Sequence, residues 1–211
     1  STFNPYARSH VGATGMWQFM RRTGKQYNLA ITDMLDERRD PLLSTRAAAR
    51  FLKDNYDMLG SWPLAITAYN YGAQGIKNAA AAVGSEKIED IIAQYENRRF
   101  QFASRNFYAE FLAAREICTR YTKYFKDIEP EMPMKIVQVS LPAYVSAETL
   151  EKHCQWSVSE IKELNPALNP SVFASGKLLP KDYRLNVPAD RKKTLLAKYA
   201  SIPEGLKHTY V

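Results

Sequence analysis

Long apolar runs are missing from this chain. None approaches the ~20 residues that a membrane-spanning helix requires, and the longest alanine-rich stretch, "NAAAAV" at 78–83, is far too short. No transmembrane segment is therefore expected. Cysteine is scarce: Cys118 and Cys154 are the two present, and their spacing fits no metal motif. Each falls in a helical pattern, which favours two buried thiols. A disulfide between them is the alternative, so the redox compartment stays open. Histidine is scarce too: His10, His153 and His208 are scattered and read as ordinary surface or half-buried residues. Neither a metal nor another cofactor is expected. A phosphate-binding glycine loop and a nucleophile elbow are both missing, as are internal repeats and low-complexity tracts. The chain opens on "STFNPYARSHVGATGMWQFM", without an initial Met or a signal peptide, and so reads as a fragment of something longer.

What is present suits a globular protein. Of 211 residues, 45% are hydrophobic and 24% charged, enough for one sizeable core or a domain plus a module. The net charge of +7 suits an anionic polymer: nucleic acid, an acidic membrane or an acidic cell-wall glycan. A protein that is merely basic is the plain alternative. Arg and Lys do not cluster as a nucleic-acid-binding element requires; "ENRRFQF" (96–102) is the nearest stretch, and it is short. No nucleic-acid partner is expected.

Residues 1–126 read as helical. "DPLLSTRAAARFLKDNYDMLG" (40–60) predicts a helix with Ser44 as N-cap and Gly60 as its stop. Ala48, Phe51, Leu52, Asn55, Tyr56 and Leu59 share one mostly apolar face. "WPLAITAYNYG" (62–72) has Pro63 in a first helical turn and Gly72 as terminator. "AQGIKNAAAAVG" and "KIEDIIAQY" add two short helices. "SRNFYAEFLAAREICTRYTKYF" (104–125) predicts one long helix, with Phe107, Phe111, Ala114, Cys118, Tyr121 and Phe125 as a core-facing stripe. A Pro-containing linker at 127–134 follows. Residues 135–190 read as a small module ordered strand, helix, helix, strand, from "KIVQVSLP" to "YRLNVP", with Ser146 capping its first helix. Residues 191–211 form a tail. The expected fold class is mainly α, with a small α+β module.

Two stretches combine glycines, amides and aromatics: the opening run and "AYNYG" (68–72). Gln18, Tyr69, Asn70 and Tyr71 can hydrogen-bond and stack together. Such a set suits a sugar, whose ring C–H faces pack on aromatics while hydroxyls and acetamides meet amides. On the residues alone, a helix-bundle core with polar caps is the plainer account and the one favoured.

The opening run resembles the signature of the lytic transglycosylases of glycoside hydrolase family 23, lysozyme-like enzymes that cut bacterial peptidoglycan. The family's first motif is Glu-Ser followed by Phe-Asn-Pro, its second a Gly-Leu-Met/Trp-Gln run, here Gly15-Met16-Trp17-Gln18. "DERRDP" (36–41) is similar to its Asp-Glu-Arg-x-Asp-Pro segment, and "AYNYG" to its Ala-Tyr-Asn motif. The matches come in the family's order and cover residues 1 to about 117.

The resemblance implies a lysozyme-like helical domain over 1–126 and a single catalytic Glu immediately before Ser1, outside this sequence. That Glu would protonate the leaving oxygen of the MurNAc-GlcNAc β-1,4 bond. The substrate's N-acetyl group would stabilise the anomeric carbon. The same Glu, then a base, would help the 6-hydroxyl attack, giving 1,6-anhydro ends. Most glycosidases use two carboxylates; the resemblance implies one, held protonated by an apolar pocket. Neither Glu37 nor Glu110 is promoted to that role. Ser1 would hydrogen-bond near the leaving group or the acetamide, Tyr69 would pack near the acid, and Met16, Trp17, Gln18, Asn70 and Tyr71 would line or hold the sugar.

The family's Glu-Thr-Arg-x-Tyr stretch is matched by "ASRNFY" (103–108). Ala103 replaces the Glu and Phe107 the Tyr. Arg105 is retained as a substrate contact, and Tyr108 would supply the hydroxyl by a one-residue shift. This departure leaves open a hydrolytic lysozyme on the same fold, with altered acetylation preference. A non-catalytic wall-binding protein is the alternative of another class. "VSEIKELNPAL" (158–168) resembles the second helix of a LysM unit, without its Gly-Asp-Thr opening, so the module is either a glycan binder or a packing accessory. The implied partner is the peptidoglycan glycan strand, the implied state a monomer, and the implied place the periplasm or cell envelope.

Overall fold

The structure is a computed structural model that describes residues 1–174 and 176–209; the last two residues of the expected tail lie outside the described residues. After a looped opening, α1 (Arg21–Gln26) is a short helix, and residues Glu37–Arg39 make one turn of 3-10 helix. Helix α2 (Pro41–Leu59) starts earlier than expected. Ser44 does not cap it: Asp40 does, its Oδ1 accepting from the N–H groups of Leu42 (2.9 Å) and Leu43 (2.8 Å). Pro41, which has no N–H to satisfy, takes the first helical position. Ser44 is buried inside the helix and donates back to the Asp40 carbonyl at 2.6 Å. The face from Ala48 to Leu59 is buried or half-buried at all six expected positions.

Helix α3 (Trp62–Tyr71) is apolar all round, and Leu64 through Ala68 are all buried, as a helix without a polar face must be. Its buried Thr67 hydroxyl is satisfied by the Pro63 carbonyl at 2.8 Å. Helices α4 (Ala73–Val83) and α5 (Ile88–Gln94) follow at the expected places. The expected single helix over 104–125 is instead α6 (Phe102–Thr119) and a separate turn, α7 (Tyr121–Tyr124), parted at Arg120.

The stripe on α6 is not core. Phe107 is half-buried, but Phe111, Ala114, Cys118 and Phe125 are exposed. Length explains this: at 1.5 Å per residue, α3 is about 15 Å long and α6 about 27 Å, so α3, on which α6 packs, cannot cover it. The pair of buried thiols is corrected likewise. Both cysteines are free, Cys154 buried and Cys118 exposed; burial pushes the Cys154 thiol up.

Strand β1 (Ile136–Ser140), α8 (Ala147–Cys154), α9 (Val158–Leu164) and β2 (Arg184–Pro188) then appear in the expected order, followed by α10 (Lys192–Ala200). The strands pair antiparallel, with Gln138 opposite Asn186. Ser146 caps α8 by accepting from the Thr149 N–H, and Ser157 with Glu160 forms a capping box on α9. Among the described residues no helix is long and apolar enough to cross a membrane.

The chain divides into two compact units: residues 1–47 with 132–211, and residues 48–131. This differs from the division at the linker expected from composition. The first unit is built on Val139, Leu150, Trp156, Ile161, Leu185 and Val187 among others, and Met34 and Leu35 of the opening segment pack against that core. The second unit is built on Leu64, Ala68, Ile76, Ile88, Ile91 and Phe100.

Candidate functional site

Gly15-Met16-Trp17-Gln18 is the tip of a tight hairpin. Thr14 and Phe19 exchange both backbone hydrogen bonds at 3.1 Å, and the Gln18 N–H closes the turn on the Gly15 carbonyl at 3.1 Å. Gly15 has φ +84 and Gln18 φ +51. Only glycine fits at position 15, because an added Cβ would lie 1.9 Å from the Arg38 carbonyl oxygen. The Gln18 side chain is committed inward: its Nε2 donates to Gly15 O (2.8 Å) and Ala7 O (3.3 Å). It therefore holds the loop, and its Oε1 is the atom left to accept from a ligand. Trp17 is fixed at its edge, Nε1 donating to Thr45 Oγ1 at 2.8 Å. Ser1 Oγ donates to the Met16 carbonyl at 2.8 Å, which joins the opening residue to the hairpin tip.

The segment similar to Asp-Glu-Arg-x-Asp-Pro is what grips this hairpin. Arg38 is buried. Its Nε and Nη2 bind both oxygens of Asp36 at 2.9 and 2.7 Å, and its Nη1 donates to Gly12 O (3.1 Å) and Phe19 O (3.0 Å). One guanidinium thus spans both arms. Sequence reasoning named the segment but not Arg38 as the clamp, since the carbonyls it binds carry no side-chain signature. Glu37 accepts from the Ala30 N–H at 2.7 Å; partial burial pushes its carboxyl up, and the Ala30 bond opposes that. A cleft of about 300 Å³ beside Glu37, Asp40, Tyr183 and Arg184 includes none of the assigned residues.

The remaining assigned residues lie in the second unit. Tyr69 packs between Phe51 (ring centroids 5.0 Å) and Phe107 (6.4 Å, near parallel), and burial pushes its phenol well above the usual range. Asn70 Oδ1 accepts from Ser104 Oγ at 2.7 Å. That fixes the amide and leaves its Nδ2 donors uncommitted among the described residues. Ser104 was missed, although it stands in the Thr register of Glu-Thr-Arg-x-Tyr, a signal that points to a hydroxyl there.

Three residues are placed otherwise than expected. Tyr71 is half-buried, packed against the second unit's core. Its ring meets Phe100 edge-on at 4.9 Å and presses on Gly75; burial, then a hydrogen bond with Tyr95, push its phenol up. Tyr108 packs against the second unit's core, and the ring on Tyr69 is Phe107, which has no hydroxyl. Arg105 is spent on backbone: it donates to the carbonyls of Phe100 (3.2 Å), Ile92 (2.5 Å) and Tyr95 (2.6 Å). Arg105→Lys should lower the stability of this unit by about 2 kcal/mol, because an ammonium cannot reproduce a planar fork and leaves partly buried carbonyls unpaired. A urea midpoint checks this; an unshifted midpoint would show that the three carbonyl contacts do not hold the unit together.

Among the described residues no group of His, Cys, Asp and Glu is arranged to hold a metal. Residues 1–92 match the profile of the transglycosylase SLT domain family. The membrane-bound lytic murein transglycosylase D of Escherichia coli K12 is 27% identical over 179 residues, covering 83% of this chain and 39% of that protein. Its counterpart in E. coli O6:H1 strain CFT073 gives the same values. A protein of Alteromonas sp. strain M-1, named for tributyltin chloride resistance, is 29% identical over 162 residues, covering 76% of this chain and 74% of the relative. The chain spans about two fifths of the length of the E. coli relatives.

Proposed function

We propose, from the match of residues 1–92 to the transglycosylase SLT domain family, that the protein is a peptidoglycan-cleaving glycosidase, a lytic transglycosylase of the MurNAc-GlcNAc β-1,4 bond. The observation that carries this reading is the interlock of two family-like segments. Arg38 of the "DERRDP" segment grips both arms of the hairpin that presents Gly15-Met16-Trp17-Gln18. Two stretches that resemble one family's motifs thus meet in one small built object.

In this reading the general acid is a Glu at the position preceding Ser1, the place the resemblance gives it. Ser1, tied to the Met16 carbonyl, keeps that position next to the hairpin tip. Trp17, pinned by Thr45, offers a fixed aromatic face to a sugar ring. The resemblance also assigns Asn70 and Tyr69 to the sugar: the Asn70 amide is oriented by Ser104, and Tyr69 packs between Phe51 and Phe107. The acid protonates the glycosidic oxygen, the substrate's own acetamide stabilises the anomeric carbon, and the same carboxylate takes the proton from the attacking 6-hydroxyl. No water is consumed. The substrate places the protein in the cell envelope, and the charge of +7 favours an acidic glycan.

The test is a digest of purified sacculi by the chain extended by that Glu, with products read by mass spectrometry. Ends lighter by one water are expected. The Gln form should lose roughly a hundred- to ten-thousand-fold in rate, the contribution of a positioned general acid-base. Equal cleavage by the Gln form would overturn the acid assignment. Reducing ends would give the second reading, hydrolysis on the same fold, favoured by Ala103 and Phe107 standing where the family has Glu and Tyr. Binding without cleavage would leave a wall-binding protein.

A further inference from the structure

We infer that Asn169 and Asn186, far along the chain from the hairpin, are positioning residues for the Gly15–Gln18 loop. The inference leans on the function proposed above only for its activity readout. Asn169 meets the opening segment at four places. Its N–H donates to Met34 O at 2.9 Å. Its Nδ2 donates to Asp33 O (2.8 Å) and Thr32 O (3.2 Å), and its Oδ1 accepts from Arg39 Nη2. Beside it, the Ala167 carbonyl accepts from the Asp36 N–H at 2.8 Å and from Arg39 at 3.2 Å. Asn186 holds the far end of the same segment, its Nδ2 donating to Asp40 Oδ2 at 3.1 Å.

Asn186 is in turn fixed by Asn165, which accepts from its N–H at 2.7 Å and donates to its carbonyl at 3.2 Å. Asn165 is fully buried and Asn186 nearly so. Buried amides with their hydrogen bonds made fix one register and punish any other. Between the two anchors lie Asp36 and Arg38, the pair that grips Gly12 O and Phe19 O. Residues 32–40 are therefore a strap pinned at both ends by the C-terminal part of the chain, and the strap carries the clamp. The "LNPALN" run (164–169), which overlaps the stretch resembling a LysM helix, here sets the geometry of the hairpin.

The experiment uses the whole chain, 15N-labelled, extended by the preceding Glu. The probes are the Trp17 indole N–H resonance, assigned with Trp17→Phe, and the exchange rates of the Thr14 and Phe19 amides. In Asn169→Ala the indole should shift and both amides should exchange roughly tenfold faster, as a local opening allows. In Asn169→Asp, which keeps the oxygen facing Arg39 and loses the two donors, the same changes should be smaller. Asn186→Ala should act as Asn169→Ala does. The Trp62 indole, in the other unit, and the exposed-site variant Glu163→Gln should stay unchanged. Sacculus turnover should fall in the same order as the exchange rates rise.

A folded Asn169→Ala with unmoved indole and exchange would overturn the proposal. So would global unfolding of both Asn169 variants, since the contacts would then hold the whole unit rather than the hairpin. If the parent chain cuts no glycan, the function proposed above fails, while indole and exchange still decide the positioning role.

Discussion

Alanine at Gly15 is expected to cost its unit about 4 kcal/mol, near the upper end of single-residue effects. Two penalties add. The backbone at φ +84 is left-handed, which costs a residue with a Cβ about 1 kcal/mol. Most of the loss comes from contact: the new carbon would lie 1.9 Å from Arg38 O and 2.7 Å from Arg38 C, so two backbone segments must part and the Arg38 grip on the hairpin opens with them. Gly12 separates the two penalties. Its φ is +86, yet nothing lies within 4 Å of the added carbon, so Gly12→Ala should cost only about 1 kcal/mol. Urea unfolding of both variants measures the difference. Equal losses would mean that the close approach to Arg38 contributes nothing.

Arg38→Met should destabilise by about 3–5 kcal/mol, the usual effect of removing one member of a buried ion pair. The side chains of Arg38 and Asp36 are 8% and 14% exposed and 2.7 Å apart. Without the guanidinium, Asp36 keeps a buried carboxylate whose remaining donor is the Arg38 N–H, and the Gly12 and Phe19 carbonyls each lose one of two donors, keeping only the Thr14 hydroxyl (3.3 Å) and the Thr14 N–H (3.1 Å). The double variant Asp36→Asn with Arg38→Met removes the stranded charge and should be more stable than Arg38→Met alone, a coupling that a double-mutant cycle reads directly. Calorimetric or urea unfolding of the four proteins checks it. Additive losses would show that the pair is not coupled, and the clamp would then be a packing contact.

Much of the helical part was legible because its signals are local. Pro63, Gly60 and Gly72 sit beside the ends they set, and the spacing of Ala48 to Leu59 needs only the helix itself. Asp40 displaced Ser44 as cap because the Pro after it fixed the start, a clue also local but outweighed by the hydroxyl. The stripe on α6 misled because periodicity marks a face and says nothing of whether a neighbour is long enough to cover it. At the site, the resemblance picked the hairpin and the Asn70 region. It did not foresee how their atoms are used. Arg105 and Tyr71 face backbone and rings supplied by Ile92, Tyr95 and Phe100, and Asn169 meets partners 136 and 137 residues away. Backbone carbonyls and distant amides leave no pattern for a sequence to show.

The division of the first unit between residues 1–47 and 132–211 sets a timetable for synthesis. On a ribosome residues 1–47 emerge well before Asn169 and Asn186, their anchors, which follow only after more than a hundred further residues have been added. The intervening stretch, rich in local helices, can fold while the opening segment waits. Closing the first unit is then a late, long-range event, of the kind that is slow because loop entropy is spent before contacts return it. The strap that carries the Arg38 clamp is thus pinned at both ends only after Asn169 and Asn186 have left the tunnel.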